Sequence, residues 1–168
     1  KSNEIKERLR KDRDAYSSAE ELARLYVFDR SQHVEGLILP NLRAGTFVIS
    51  DRYHLSTYAY QHTQGVDLRA LERLHEEYMI PNPDVTILLD VDFEVAAERL
   101  RKRGEPLEKF EKDSGFIRKL IKNYREIAKN AQDREALIGK TEVIDGSKSV
   151  EEVAKDINGI FDVLYREL

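Results

Sequence analysis

Short runs rich in β-branched and aromatic residues punctuate the chain at Phe47–Ile49, Val85–Leu89 and Thr141–Asp145. Such runs, bounded by turn residues, read as buried strands of a parallel sheet. Between them the apolar spacing changes to three and four. Leu22, Leu25, Tyr26, Phe28, Val34, Leu37, Ile38 and Leu42 mark a helix that Ser18 caps, Pro40 bends or resets, and Gly45 ends. Asp67 caps a helix over Leu68–Tyr78, and Phe93–Arg103 is another, stopped by Gly104 and Pro106. Asp113–Ala131 is a long charged helix with Phe116, Leu120, Tyr124, Ile127 and Ala128 along one stripe. Ser149 with Glu152 forms a capping-box pattern ahead of a last helix. At the other end Ser2-Asn3 cap a helix over Glu4–Arg10; Asp12–Ser18 and Gln61–Val66 read as connections. Strands alternating with helices predict a single α/β domain with a parallel sheet. Three strands make a thin sheet for this much helix.

Composition narrows the classes. The 168 residues are 40% hydrophobic and 36% charged, enough apolar content for one globular domain. A net charge of −4 gives no general attraction to nucleic acid or anionic membrane. No run is long enough to span a bilayer and no signal-peptide pattern is present. The absence of cysteine excludes disulfides and thiolate metal sites, and a reducing cytosol fits it. The chain opens at Lys1 inside a helical pattern, so a preceding segment is expected.

The chemistry gathers at Thr46–Gln61. In open α/β sheets ligands sit beyond the carboxyl ends of strands, and here Asp51 and Arg52 follow such an end. A carboxylate and a guanidinium at that edge are placed for chemistry rather than packing; for Arg52 the plainer alternative is an ion pair with a neighbouring acid. Asp51 is otherwise a cap or a structural salt bridge. Tyr26 and Arg30 stand four apart on one helix face, a ring to stack on a base beside a guanidinium for a base oxygen. Their alternative is a core ring and a solvated charge. Arg99, Arg101, Lys102 and Arg103 gather at a helix end; such a charge run is usually a solvated face, and Arg99 and Arg103, four apart, share one side of the helix. Tyr53 is either site wall or core. His33, His54, His62 and His75 show no metal-ligand spacing and read as surface residues.

Five motifs occur in collinear order: Y-V-F-D-R (Tyr26–Arg30), F-V-I-S-D-R-Y (Phe47–Tyr53), S-T-Y-A-Y-Q (Ser56–Gln61), P-D-V-T-I-L-L-D (Pro83–Asp90) and E-R-L-R-K-R-G (Glu98–Gly104). Together they resemble the thymidylate kinase family of P-loop nucleoside-monophosphate kinases over nearly the whole chain. The resemblance implies a three-layer P-loop kinase fold, a parallel sheet flanked by helices. It implies transfer of the γ-phosphoryl of ATP, with Mg²⁺, onto dTMP to give dTDP without a covalent intermediate. It further implies a cytoplasmic homodimer formed through helices that include the one bearing Tyr26–Arg30, with no nucleic-acid or membrane partner. Asp51 would hold Mg²⁺ through water or orient the acceptor phosphate, and Arg52 would bind that phosphate. Tyr26 would stack on the base and Arg30 donate to it. Tyr60 would pack against the deoxyribose, with Gln61 and Thr57 on the base; a turn or cap is the alternative for Thr57. A lid would span about residues 99–115 and carry Arg99 and Arg103 as catalytic arginines.

Two departures matter. Tyr26 stands where the family commonly has Phe. No G-x-x-x-x-G-K-[ST] phosphate loop occurs in the sequence, so the first strand, loop and helix of the domain are expected to lie outside it. That first strand would run between Phe47–Ile49 and Val85–Leu89. The alternatives left open are another nucleoside-monophosphate or deoxynucleoside kinase, or a non-catalytic nucleotide-binding or dimerisation module.

Overall fold

The structure is a computed structural model that describes residues 3–11, 14–104, 106–131 and 138–167. Helix α1 covers Asn3–Lys11; its expected Ser2 cap, like Asp12, lies outside the described residues. The turn before α2 (Ala19–His33) is closed by Asp14, whose Oδ1 accepts from the Tyr16 N–H at 3.0 Å. Ser18 occupies the cap position of α2 but its side chain makes no capping bond there, contrary to expectation. The cause is local: at φ 57° the residue is left-handed, whereas a capping side chain needs extended backbone.

From α2 the chain continues through one widened turn, Val34–Ile38, into α3 (Leu39–Arg43). Pro40 stands at the start of α3, where a missing N–H is tolerated only because the turn before it is wide. Gly45, at φ 73°, ends the run as expected.

The expected strand Phe47–Ile49 does not form. Residues 46–50 carry no ladder, with Phe47 51% and Ile49 91% exposed. An apolar run becomes a strand only where a second backbone offers donors and acceptors, and among the described residues none runs alongside. The sheet described here has two strands rather than three, β1 (Val85–Asp90) and β2 (Lys140–Asp145). They are parallel, in register from Val85 opposite Lys140 to Asp90 opposite Asp145.

Helix α4 covers His54–Thr63, so Gln61–Thr63 belong to it and not to the expected loop. Its buried residues include His54, Thr57, Tyr58, Gln61 and Thr63. Burial on most sides, much of it by polar residues, erases the amphipathic stripe by which a helix is read. Helices α5 (Leu68–Glu77), α6 (Phe93–Arg103), α7 (Ser114–Asn130) and α8 (Val150–Glu167) follow the sequence pattern closely. Asp67 and Asp113 accept from the Ala70 and Phe116 N–H groups. Ser149 and Glu152 cap each other reciprocally at 3.0 and 3.2 Å. Asp113→Ala should lower stability by about 1 kcal/mol, while Asp113→Asn should stay within a few tenths, as read from denaturant midpoints.

Helix α4 sits between two cores. On one side Val27, Val34 and Ile38 meet Leu55, Tyr58, Leu71, Leu74 and Ile138, with Leu88 of β1 against them. On the other Leu22 and Ala59 meet Phe110, Phe116 and Leu120. Ile144 of β2 is buried, whereas Ile87, Leu89 and Val143 are 36, 47 and 56% exposed, so each face of the pair carries exposed apolar residues. Arg125 of α7 ties the end of β1, donating to Asp90 at 2.8 Å and Asp92 at 2.7 Å. A helix-rich body on a parallel pair fits the α/β class. Phe28 is 49% exposed, its ring in T-shaped contact with Tyr78.

Candidate active site

Helices α2 and α4 pack against each other and bring most of the sequence candidates together. Arg30 Nη1 donates to Thr57 Oγ1 at 2.8 Å, and its Nη2 donates to the Tyr53 carbonyl at 3.0 Å. The same Nη1 lies 3.1 Å from His75 Nε2. Burial, partly offset by Tyr53, Tyr58 and Asp29, lowers this guanidinium to about 10. Tyr53 is core: its ring stacks on His54 at 4.3 Å and its hydroxyl donates to the Pro81 carbonyl at 3.0 Å.

His54 and His75, read as surface residues, are only 1% and 3% exposed. They pack ring against ring at 4.6 Å, with Tyr58 4.8 Å from His75. His75 tolerates burial because both its nitrogens are bonded: Nδ1 lies 2.8 Å from the Leu71 carbonyl and Nε2 faces Arg30. A carbonyl only accepts and a guanidinium only donates, so Nδ1 carries the hydrogen and Nε2 offers its lone pair. Burial, then the neighbouring His54, lowers this imidazole to about 3 against the Leu71 bond. His62 is half-buried, its Nδ1 2.9 Å from the Val66 carbonyl, and His33 is exposed as expected. No motif spacing pointed to the contact between Arg30 and His75, which spans 45 positions.

Beside this clasp lies an aromatic group. Tyr60 meets Phe110 at 5.2 Å and Tyr124 at 6.3 Å, and the Tyr124 hydroxyl donates to Ser56 Oγ at 2.9 Å. Tyr26 packs on the same core, its hydroxyl pushed up to about 12 by burial and Tyr60, with Arg52 opposing. The Arg52 guanidinium lies 5.7 Å from the Tyr60 ring centroid. Burial works to lower it, yet Tyr60, Tyr124 and Asp51 outweigh that and raise it. Its backbone is left-handed at φ 66°, a strained conformation for a residue with a β-carbon. Asp51 is exposed next to it.

Gln61 is 1% exposed; its Nε2 donates to Gln64 Oε1 at 3.1 Å, while its own Oε1 is buried without a hydrogen-bond partner. Gln64, which the sequence did not single out, ties the end of α4 to the turn before α2 by donating to the Ala15 carbonyl at 2.8 Å.

Of Arg99 and Arg103 only one is tied to other described residues. Arg103 grips Glu111 with both terminal nitrogens, at 3.1 and 2.7 Å. That bond holds the Glu111 carboxyl below its usual range, with a further contribution from Arg52. Lys109 is buried and donates to the Ser17 carbonyl and hydroxyl at 3.3 and 3.2 Å. Residues 108–112 therefore close against α4 and the turn before α2. Arg99 is exposed and joins none of these contacts among the described residues.

The carboxyl ends of β1 and β2 line a cavity of about 260 Å³ with Asp90, Asp92, Arg125, Asp145 and Ser147. No cluster of three or more His, Cys, Asp or Glu suited to a metal ion occurs among the described residues.

The family model described as thymidylate kinase matches residues 2–157. The chain is 39% identical to a probable thymidylate kinase of Archaeoglobus fulgidus over 147 residues, 86% of this chain and 68% of that one. It is 34% identical to a thymidylate kinase of Wolbachia sp. subsp. Brugia malayi over 145 residues, 85% of this chain and 69% of the relative. A thymidylate kinase of Akkermansia muciniphila is 42% identical over 99 residues, 59% of this chain and 47% of that protein. The chain thus spans about two thirds of the first two relatives. With the family match running through α2, α4, α6, α7 and both strands, the chain belongs to the thymidylate kinase family, phosphotransferases of P-loop kinase fold that phosphorylate dTMP.

Proposed function

We propose that this chain forms the side of the site that receives phosphate, holding dTMP while ATP supplies the phosphoryl group. The observation that carries this reading is the meeting of α2 and α4, where Arg30 clasps Thr57 and Tyr26, Tyr60 and Arg52 form one neighbouring cluster. Tyr26 stacks on the thymine and Arg30 donates to it. Thr57 and Gln61 complete the contact, and the unbonded buried Oε1 of Gln61 suits a donor from the base. A buried polar group that only the right partner satisfies is what rejects the wrong one. Tyr60 packs against the deoxyribose. Arg52, always charged, takes the monophosphate through its planar fork.

Mg²⁺ fits this set in one way. Asp51 is an exposed single carboxylate without a surrounding carboxylate cage, and Mg²⁺ keeps several waters and takes its remaining ligands from phosphates. Asp51 would hold it through water, and the ion would neutralise charge on the transferring phosphates. Arg103, released from Glu111, and Arg99 close over the same oxygens and stabilise the charge that develops there. No covalent intermediate is needed, because positioning and charge stabilisation carry phosphoryl transfer. Exposed Phe28, Leu37 and Leu42, at 49, 48 and 43%, support a homodimer through the run from α2 to α3. No described helix is long and apolar enough to cross a membrane, and a cytoplasmic setting is in keeping with this.

ADP formation by the full-length protein should depend on dTMP and prefer it over dUMP, dCMP and thymidine. Faster turnover of another acceptor would move the reading to a different nucleotide kinase. Calorimetric binding of dTMP without binding of ATP would make it a nucleotide-binding module.

A further inference from the structure

The Arg30 guanidinium is half-buried, with no carboxylate among its hydrogen-bond partners. Nη1 gives its hydrogens to Thr57 Oγ1 and His75 Nε2, and Nη2 gives one to the Tyr53 carbonyl. Of the five N–H donors of an arginine, those on Nε and one on Nη2 remain. The three acceptors come from different places in the fold: the middle of α4, the residue before α4, and the end of α5. Thr57 and Tyr53 belong to the segment that forms the site, so they move with it. His75 does not. It stands on α5, it bonds Arg30 from there, and its own orientation is set by the Leu71 carbonyl within its helix. Around its ring stand His54 and Tyr58 from α4. Every neighbour holds the imidazole in one plane with a lone pair aimed at Nη1.

We infer that His75 is a positioning residue for nucleobase recognition. By accepting from Nη1 it fixes the rotation of the Arg30 guanidinium and leaves the Nε and Nη2 hydrogens turned toward the base. This rests on the assignment of Arg30 to the base. Three acceptors in three directions determine a planar fork; two allow it to swing about the line that joins them. Without the His75 lone pair the guanidinium can reach other partners, and a carbonyl at the base edge no longer meets donors at a set place. Affinity for the acceptor and discrimination between bases then fall together, while the ATP side is untouched.

The test compares His75→Leu, His75→Asn and His75→Gln in the full chain, each first checked for a cooperative thermal melt. Leu removes the acceptor. Asn keeps a donor for the Leu71 carbonyl near the Nδ1 position but cannot reach Arg30. Gln places Oε1 near the Nε2 position. His75→Leu and His75→Asn should raise KM for dTMP about tenfold, the loss of one hydrogen bond to a charged group. The dTMP-over-dCMP preference should drop by a similar factor with KM for ATP unchanged, and His75→Gln should recover most of both. If Leu does not fold, the contrast between Asn and Gln decides alone. Unchanged KM and base preference in Asn, or a Gln variant as impaired as Asn, would overturn the inference. Arg30→Met separates the two levels: dTMP binding unaffected by it removes Arg30 from the base. Binding weakened by it but not by the His75 changes removes only His75.

Discussion

Arg52→Ala is expected to lower kcat/KM for dTMP by about three orders of magnitude while the chain stays folded. The guanidinium stands at the mouth of the site, over the Tyr60 ring rather than within either core. Its removal deletes a phosphate ligand without opening a cavity. Lysine would keep the charge but lose the fork that matches two phosphate oxygens at once. The backbone makes the result sharper. At φ 66° Arg52 is in the left-handed region, which costs a residue with a β-carbon on the order of 1 kcal/mol and costs glycine almost nothing. Arg52→Gly should thus be more stable than Arg52→Ala, and just as inactive. Steady-state kinetics with urea midpoints for both variants checks this pair of outcomes; full activity in either would take Arg52 out of the reaction.

The second large effect is loss of stability in mild acid. His75 ionises at about 3 in the folded chain against 6.5 for an ordinary histidine. Below pH 6.5 the unfolded chain takes up a proton that the native chain refuses, so the native state is penalised as pH falls. Above 6.5 neither state is charged and the contribution is flat. The slope is about 1.4 kcal/mol per pH unit, and about 5 kcal/mol would be lost across the whole interval down to pH 3. The structural reason is that a protonated imidazole would point a hydrogen at Arg30 Nη1, donor against donor, in a site without water-like dielectric. Urea midpoints from pH 7 to pH 4 should fall steeply for the parent and less so for His75→Gln. Parallel curves would show that another group controls the acid transition.

Elements defined by their own residues were legible in the sequence. The helix Phe93–Arg103 and the capping box at Ser149 and Glu152 stand where the pattern put them, because caps and periodicity act within a few positions. What failed depends on distant partners. Phe47–Ile49 has the composition of a strand, but a strand is a relation between two backbones, and composition cannot show whether the second is there. Gln61–Thr63 looked like a loop because buried polar side chains mimic a surface. The site divides the same way. That Tyr26 and Arg30 share one helix could be read from their spacing of four, but not that Arg30 meets Thr57 and His75 while Tyr26 packs on the other core. The burial of His54 and His75 could not, since each owes it to residues of another helix. Arg99 and Arg103 had equal claims by spacing, and only the Glu111 contact separates them.

The clasp around Arg30 has a consequence for how such a chain can change over generations. Positions 30, 57 and 75 are joined by two hydrogen bonds spanning 27 and 45 residues, and an apolar replacement at any one of them leaves a half-buried donor or acceptor bare. Drift at any one of them is blocked until a matched change occurs at another. These positions should therefore be inherited as a set, held together or exchanged together, and their joint variation would trace the clasp through lineages whose structures nobody has determined.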